Sequence, residues 1–260
     1  MSRQHHFKPQ PDTSWHKVSS WYDGLVGKKG SDYHKNVIIP GALAMLVPQE
    51  GEKILDVACG QGVFARCLRA KGAEVTGIDA AKGLIKIAQQ RSPDIKYLTA
   101  DATNLKMFAG GSFDAVSCIM AIMNIDPLDA AIREMGRVLK KGGRLLLVLN
   151  HPCFRIPRES GWVVDLEKKE QFRRIDGYMT PRKFPIQMHP GSDPTVETWT
   201  FHRPLSRYFQ PLAENGLVVD QLEEWVSHRR SLPGPMKKAE DHVREEIPLF
   251  LAVAAIKLFG

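Results

Sequence analysis

Short apolar runs alternate with amphipathic stretches along the chain from Glu52 onward. Runs of this length predict parallel strands that are buried on both faces, and the stretches between them predict the helices that cover the sheet. The pattern therefore predicts an α/β protein with a doubly wound, Rossmann-like sheet of seven mostly parallel strands and helices on both faces. The first five strands are predicted at residues 53–57, 74–78, 95–99, 113–119 and 144–149.

The connections between these strands have helical periodicity. Residues 62–70 and 81–90 each place their apolar side chains on one face, as an amphipathic helix does. Another helix is predicted to begin with Asp126 as its N-cap and Pro127 in its first turn, and to end at Gly142-Gly143. The pattern closes with a helix at 205–215, a strand at 217–225, a polar basic connection and a last strand at 249–258.

The segment from residue 151 to about residue 200 breaks this alternation. Proline, arginine and aromatic residues collect there, which indicates an insertion after the fifth strand. Within it, short strands are predicted at 171–178 and 196–201, and they would form a lid. Residues 1–13 are polar and rich in His, Gln and Pro, so they are predicted to be a flexible arm that precedes a helical cap at residues 14–51.

The composition of the 260-residue chain excludes several classes of protein. The segment 1–13 has no apolar core of the kind that a secretory signal needs, and the apolar run 249–256 is too short to cross a bilayer. The four cysteines lack paired CxxC spacing, so we expect no metal site, no disulfide framework and a cytoplasmic protein with reduced thiols. The net charge of +7 can attract an anion, but no basic cluster is interleaved with aromatic residues.

The first predicted strand ends in the sequence Asp56-Val57-Ala58-Cys59-Gly60-Gln61-Gly62, and a helix follows directly. Small residues in such a turn let the backbone approach a ligand closely, and the helix N-terminus offers free N–H groups. The spacing of Gly60, Gly62 and Ala65 alone also fits a nicotinamide-dependent dehydrogenase.

Two further acids follow at the ends of the next two strands. Asp79 comes about 20 residues after the glycine turn, where a carboxylate can accept hydrogen bonds from both ribose hydroxyls. Asp101, with Ala102 beside it, can accept a hydrogen bond from an exocyclic amine such as that of adenine. An acid beside the glycine turn would repel a pyrophosphate but can pair with an ammonium group, so Asp56 favours S-adenosylmethionine over a dinucleotide.

These residues resemble the motifs of the class I S-adenosylmethionine-dependent methyltransferases, in particular the methyltransferase type 11 group that includes ubiquinone and menaquinone biosynthesis enzymes. The resemblance covers residues 52–149. Residues 54–62 are similar to the first motif of that family and residues 75–79 to its second, whereas 113–116 and 137–143 are similar to its later motifs.

The resemblance implies a role for each matching position. Residues 58–60 would hold the methionine moiety, Asp79 the ribose, Asp101 and Ala102 the adenine, and residues 118–120 the rim of the pocket. The implied cofactor-binding residues are Asp56, Ala58, Cys59, Gly60, Gly62, Asp79, Ala80, Asp101, Ala102, Cys118, Ile119 and Met120. Ala58 stands where a glycine is commoner in the family, and Asn124 where many relatives carry histidine.

In relatives of this fold, the N-terminal helices and the segment after strand five cover the active site. A hydroxyl or amine acceptor must lose a proton, so histidine and tyrosine residues in these segments are candidates for catalysis: His151, Tyr22 and His202. The candidates for acceptor binding are Tyr33, His34, Arg155 and Arg203. A general base is optional, because alignment of the two reactants supplies much of the rate enhancement.

The sequence thus predicts a single domain over residues 14–260, with a cofactor-binding half at 52–150, a substrate-covering insertion at 151–200 and a C-terminal sheet half at 201–260.

The predicted reaction is transfer of the methyl group of S-adenosyl-L-methionine to an O, N or C nucleophile of a small molecule, with S-adenosyl-L-homocysteine as the product. A nucleic-acid methyltransferase with Cys153 as nucleophile, a nicotinamide-dependent oxidoreductase and a non-catalytic nucleotide-binding protein remain as alternatives. A monomer and a homodimer are both compatible with the sequence.

Overall fold

A seven-stranded sheet forms the centre of the protein, and this computed structural model describes it together with the rest of residues 14–187 and 197–258. The described strands are β1 (Lys53–Val57), β2 (Glu74–Asp79), β3 (Lys96–Thr99), β4 (Phe113–Ile119), β5 (Leu139–Asn150), β6 (Ser160–Asp165), β7 (Glu170–Ile175), β8 (Arg182–Gln187), β9 (Glu197–His202), β10 (Leu217–Trp225) and β11 (Phe250–Lys257). The main sheet has the order β10-β11-β5-β4-β1-β2-β3, in which β11 runs antiparallel to both of its neighbours. The predicted fold class is therefore confirmed.

Helices cover both faces of this sheet. The α-helices of the described residues are α1 (Ser19–Val26), α2 (Ile39–Leu46), α3 (Val63–Arg69), α4 (Lys82–Arg91), α5 (Leu128–Val138), α6 (Leu205–Glu214) and α7 (Lys237–Glu246). Short helical turns lie at Ser14–His16 and Ile122–Asn124, and a π-helical turn at His34–Ile38 leads directly into α2.

Alternation along β5 distributes its side chains between two cores. Leu145 and Leu147 pack on the side of α5 and α6, whereas Leu146 and Val148 pack on the side of α2, α3 and α4. Successive residues of a strand point to opposite faces, so a continuous apolar run is the pattern that a sheet covered on both sides requires. This explains why the uninterrupted apolar runs predicted the central strands.

Several predicted boundaries were wrong. Asp126 is not the N-cap of α5: the helix begins at Leu128, with Pro127 in extended conformation as its N-cap and no side-chain cap. The helix also ends at Val138 rather than at Gly142-Gly143, because Leu139 already pairs with Phe113 of β4. The polar basic connection between the last two predicted strands contains α7, a helix in which Val243 is buried and the other residues are half-buried or exposed.

The insertion after β5 consists of two antiparallel pairs, β6 with β7 and β8 with β9. The strand predicted at 171–178 ends at Ile175, and the strand predicted at 196–201 corresponds to β9, although residue 196 and the arm predicted at 1–13 lie outside the described residues. β6 and β8 were not predicted. Strand β9 contacts the two short helical turns, Ser14–His16 and Ile122–Asn124, and so reaches back over the main sheet.

Tyr97 of β3 holds the glycine turn close to the sheet. Its ring fills the space beside Gly77 that a side chain at this position would need. A Cβ added at Gly77 would lie 2.6 Å from the ring. Its hydroxyl lies against Gly62 and is bonded to Ser92 Oγ at 3.0 Å. The turn after β1 therefore packs against β2 and β3 without space for larger residues.

Within residues 14–187 and 197–258, none of the helices combines the length and the apolar character that a membrane crossing requires. Residues 250–256 of the apolar run at 249–256 lie in β11, which is a buried strand.

Gly77→Ala is expected to lower the free energy of unfolding by about 1–3 kcal/mol, because the added methyl group overlaps the Tyr97 ring. Urea denaturation measures this change. Gly161→Ala in β6 is the matched control, since an added Cβ there meets nothing within 4 Å, and its effect should stay within about 0.5 kcal/mol. Equal stability of both variants would contradict the packing described for Tyr97.

Candidate active site

A cavity of about 350 Å³ opens at the carboxyl edge of the main sheet. The strand order reverses between β1 and β4, and a crevice forms outside the ends of the strands at such a point. The residues that line it are Trp15, Tyr22, Ala58, Gly60, Asp79, Ala80, Leu84, Ala100, Asp101, Ala102, Ile119, Met120, Ala121, Asn124, Ile125, Asp126, Trp199 and Phe201. This volume lies at the lower end of the range of small-molecule sites.

The turn after β1 brings backbone rather than side chains to the cavity. Ala58, Gly60 and Gly62 all have left-handed backbone conformations, with φ of 53°, 56° and 80°. Ala58 adopts it despite its methyl group, which is uncommon outside glycine. Gly60 lines the cavity, whereas Gly62 is covered by Tyr97 and serves the packing of the turn.

Asp79 fixes this turn from the end of β2. Its Oδ2 accepts the N–H of Gly60 at 2.9 Å, and its Oδ1 accepts the N–H of Ala81 at 2.8 Å. The carboxyl group also lines the cavity, where each oxygen keeps a lone pair for a ligand. Burial raises the pKa of Asp79, and the two backbone N–H groups partly offset that rise.

Asp56 lies deeper, beneath the turn. Its Oδ1 accepts the hydroxyl of Ser117 at 2.9 Å, and its Oδ2 is buried without a hydrogen-bond partner in the described part of the chain. Burial raises the pKa of Asp56 to about 7, although the Ser117 hydroxyl and the nearby amide of Ala65 oppose the shift. Asp56, Cys59 and Gly60 line a small recess of about 40 Å³ that also borders Tyr22. A buried carboxylate beside unfilled space favours a cationic partner.

Asp101 and Ala102 lie on the wall of the cavity that follows β3. Asp101 Oδ1 accepts both the backbone N–H and the hydroxyl of Thr103, each at 2.8 Å, which orients the carboxyl group. Ala102 is buried and Leu84 of α4 lines the same cavity. The arrangement places an oxygen that can accept a hydrogen bond beside an apolar surface. This suits a flat heterocycle with an exocyclic amine.

The opposite wall follows β4. Met120 has a φ of 56°, and its N–H donates to Val148 O at 2.7 Å, so the chain turns away from the sheet at this residue. Ile119 and Met120 line the cavity. Cys118 does not, because its side chain points into the core and is fully buried. Burial raises the pKa of the Cys118 thiol far above neutrality, so the thiol stays protonated.

Aromatic side chains from distant parts of the chain cover the cavity. Trp15 and Tyr22 pack edge to face with ring centroids 5.6 Å apart, and Trp199 and Phe201 of β9 line the other side. Burial raises the pKa of Tyr22 to about 12, and the charge of Asp79 adds to the rise. Tyr22 therefore keeps its proton at neutral pH and can donate a hydrogen bond there.

The charged residues that line the cavity are all acids. They are Asp79, Asp101 and Asp126, and no lysine, arginine or histidine of the described residues lines it. Opposite charges attract more strongly where water is displaced, so this cavity favours a ligand with positive charge and disfavours one with a pyrophosphate.

Two of the three catalytic candidates lie outside this lining. His151 is buried, with its Nε2 at 2.6 Å from Glu224 Oε1 and its Nδ1 accepting the N–H of Cys153 at 3.2 Å. His202 is buried with its Nε2 at 2.7 Å from Tyr178 O, because alternation along β9 points it away from Trp199 and Phe201. Tyr22 is the one candidate of the three that lines the cavity.

The candidates for acceptor binding are spread over several places, and none of them lines the cavity. The Tyr33 hydroxyl lies 3.0 Å from Ser227 Oγ, and His34 Nδ1 lies 2.8 Å from Ser31 Oγ. Arg155 donates to Asn150 Oδ1 at 2.6 Å. Arg203 comes nearest to the cavity, because its Nη2 donates to Asp126 Oδ1 at 2.8 Å and to Ile125 O at 2.9 Å.

Trp15, Asn124, Trp199 and Phe201 line the cavity but were not predicted from the sequence to bind a ligand. The alternating pattern of β9, with buried Thr198, Thr200 and His202, was the signal that Trp199 and Phe201 share one face. No pattern in the sequence indicated which cavity that face would meet.

The stability of the ligand-free protein is expected to fall between pH 4 and pH 7 because of Asp56. Its folded-state pKa of about 7 lies above the value of about 3.9 in an unfolded chain, so between these two values the unfolded chain has released the proton that the folded state still holds, and the unfolding free energy falls as the pH rises. Relative to Asp56→Asn, which cannot ionise, wild type should lose about 2–3 kcal/mol of unfolding free energy between pH 5 and pH 8. Urea denaturation at both pH values measures this difference, and a constant difference would contradict the burial of Asp56.

In a comparison with known proteins, residues 55–147 match the model of the methyltransferase domain family. The chain is 38% identical over 105 residues to a demethylmenaquinone methyltransferase of Renibacterium salmoninarum, which covers 40% of this chain and 44% of that protein. It is 35% identical over 103 residues to a ubiquinone biosynthesis O-methyltransferase of Paracidovorax citrulli, covering 38% and 43%. The chain thus spans less than half the length of these two relatives.

The structural similarity to known proteins covers most of the chain. An S-adenosylmethionine-dependent methyltransferase from Mesorhizobium loti superimposes with a TM-score of 0.67 and 25% identity, and the match covers 84% of this chain and 96% of that one. These findings confirm the resemblance that the motifs indicated. Residues 55–147 are similar to the methyltransferase domain family, and the chain has the fold of the S-adenosylmethionine-dependent methyltransferases.

Proposed function

We propose that the protein transfers the methyl group of S-adenosyl-L-methionine to an O, N or C nucleophile of a small-molecule acceptor. The observation that carries this proposal is a left-handed glycine turn beside a cavity at the switch point of the sheet, whose charged lining residues within the described part of the chain are all acids. When bound, S-adenosylmethionine would supply a methyl group on a positively charged sulfur. The nucleophilic atom of the acceptor would bond to the methyl carbon from the side opposite the sulfur as the carbon–sulfur bond breaks, and S-adenosylhomocysteine would leave.

The residues around the cavity suit each part of this cofactor. Asp79 would accept the ribose hydroxyls on oxygens that are already oriented by Gly60 and Ala81. Asp101 and Ala102 would contact the adenine. The unpartnered oxygen of Asp56, beside Gly60, would attract the ammonium group of the methionine moiety.

The remaining part of the cavity would hold the acceptor. Trp199, Phe201 and Tyr22 give it an aromatic surface, and aromatic rings stack favourably on one another. Two relatives are named for methylation in menaquinone and ubiquinone synthesis, so we propose an aromatic acceptor of the quinol type. Tyr22 would position it by donating a hydrogen bond, and alignment of acceptor and donor would supply most of the rate enhancement.

Two alternatives are less compatible with this cavity. A nicotinamide dinucleotide brings a pyrophosphate, for which the acidic lining is unfavourable. A nucleic-acid methyltransferase that uses Cys153 would need this thiol at the cavity, but Cys153 lies outside the lining and adjoins Tyr178. Within the proposal, residues 52–150 form the cofactor-binding half and residues 151–200 contribute the cover over the acceptor.

Asp79→Ala is expected to weaken binding of S-adenosylhomocysteine by at least about tenfold, because two hydrogen bonds to a charged acceptor are lost. Isothermal titration calorimetry measures the affinity, and NADH serves as the competing ligand. Asp94→Ala is the matched control, because Asp94 is exposed, pairs with Arg69 at 3.3 Å and does not line the cavity, so this variant should bind S-adenosylhomocysteine as tightly as wild type. Binding of NADH without binding of S-adenosylhomocysteine would overturn the proposal.

Trp199→Ala is expected to raise the KM for the acceptor at least about tenfold and to leave the affinity for S-adenosylhomocysteine within about threefold of wild type. Acceptors are found first by transfer of a tritiated methyl group to a panel of quinols and catechols. Phe172→Ala in β7 is the control, because Phe172 is an exposed aromatic residue of the same insertion that lines no part of this cavity. An unchanged KM in Trp199→Ala would remove β9 from the acceptor site.

A further inference from the structure

A second cavity, of about 270 Å³, lies beyond the end of β5 and shares no residue with the cavity described above. Two arginines, Arg155 and Arg173, line it together with the aromatic side chains of Tyr33, Phe154 and Trp162. We propose that this cavity is a binding site for a small organic anion, in which the two guanidinium groups hold a carboxylate or phosphate group and the aromatic wall holds an apolar body.

Both guanidinium groups are fixed in place by uncharged partners. Arg155 donates from Nη1 to Asn150 Oδ1 at 2.6 Å. Arg173 donates from Nε to Phe154 O at 2.8 Å and from Nη2 to Ser160 Oγ at 2.8 Å, and its guanidinium carbon lies 4.9 Å from the centre of the Trp162 ring. These bonds leave N–H groups on both arginines free to donate to a ligand, and a guanidinium group can bind an oxyanion through two parallel hydrogen bonds.

Neither arginine has a carboxylate partner among residues 14–187 and 197–258. Two carboxylates on adjoining segments are engaged elsewhere: Asp32 pairs with Arg229 at 2.8 Å, and Glu224 lies 2.6 Å from His151. Neighbouring Arg174, by contrast, is exposed and pairs with Asp176 at 2.9 Å. Two like charges that are half-buried side by side without a counterion repel each other, so an anion between them would relieve an unfavourable arrangement.

The perturbed electrostatics of the pair agree with this geometry. Burial lowers the pKa of Arg155, and the positive charge of Arg173 lowers it further. Burial also lowers the pKa of Arg173. No carboxylate of the described residues opposes either shift.

The walls of the cavity limit the kind of anion. Ile247, Pro248 and Leu249 form an apolar side, and Trp162 and Phe154 add aromatic side chains to the lining. The volume is smaller than that of most drug-sized sites, so a single ring with one charged group is the class of ligand that fits. Benzoate and phenyl phosphate represent the two forms of this chemistry, and benzamide is their uncharged counterpart.

Isothermal titration calorimetry of the full chain without cofactor tests the proposal directly. Benzoate or phenyl phosphate is expected to bind with one-to-one stoichiometry, and benzamide at least about tenfold more weakly. The ratio of the two affinities identifies a carboxylate or a phosphate as the preferred group. Arg155→Gln and Arg173→Gln should each weaken binding at least about tenfold, whereas Arg174→Gln should leave it within about twofold of wild type.

Thermal denaturation provides a second readout that does not depend on calorimetry. The preferred anion should raise the Tm of wild type and of Arg174→Gln, but not that of Arg155→Gln or Arg173→Gln. Arg173→Lys, which keeps the charge and loses the planar donor pair, should bind with intermediate affinity. The proposal is overturned if neither anion binds wild type, or if binding and the rise in Tm persist in both glutamine variants.

Discussion

The shape of the cavity depends on the hydrogen bonds that the Asp79 carboxylate accepts. It ties the N–H of Gly60, in the turn after β1, and the N–H of Ala81, before α4, to the end of β2. A partly buried carboxylate is unfavourable unless hydrogen bonds satisfy it, and here two backbone amides do so. The same oxygens face the cavity, so their orientation is already set before a ligand arrives. The turn, the second strand and the ligand site therefore share one charged group.

The distribution of charge gives the two cavities opposite characters. The one at the switch point is lined by three acids, and the one beyond β5 by two arginines. A net charge of +7 for the whole chain says nothing of this division, because net charge does not reveal where cations and anions lie. The acidic cavity suits a cationic cofactor and the basic cavity suits an anion, so the protein can separate two ligands by charge as well as by shape.

The sequence predicted those parts of the structure that depend on local periodicity. Uninterrupted apolar runs identified the central strands, and Asp79 and Asp101 could be placed at one edge because parallel strands end on the same side. The aromatic cover could not be predicted, since Trp15 and Trp199 meet only through long-range packing. The histidine candidates failed to reach the cavity for a related reason: His202 alternates away from Phe201, and the Nε2 of His151 contacts Glu224 on β10. The charge of the second cavity escaped prediction because Arg155 and Arg173 come from separate segments of the insertion.

A crystal structure of the protein with S-adenosylhomocysteine tests most directly whether this cavity binds the cofactor. We expect both ribose hydroxyls within hydrogen-bonding distance of Asp79, the adenine beside Asp101 and Ala102, and the ammonium group beside Gly60 on the side of Asp56. A ligand bound elsewhere, or a cavity that stays empty when S-adenosylhomocysteine saturates the solution, would contradict it.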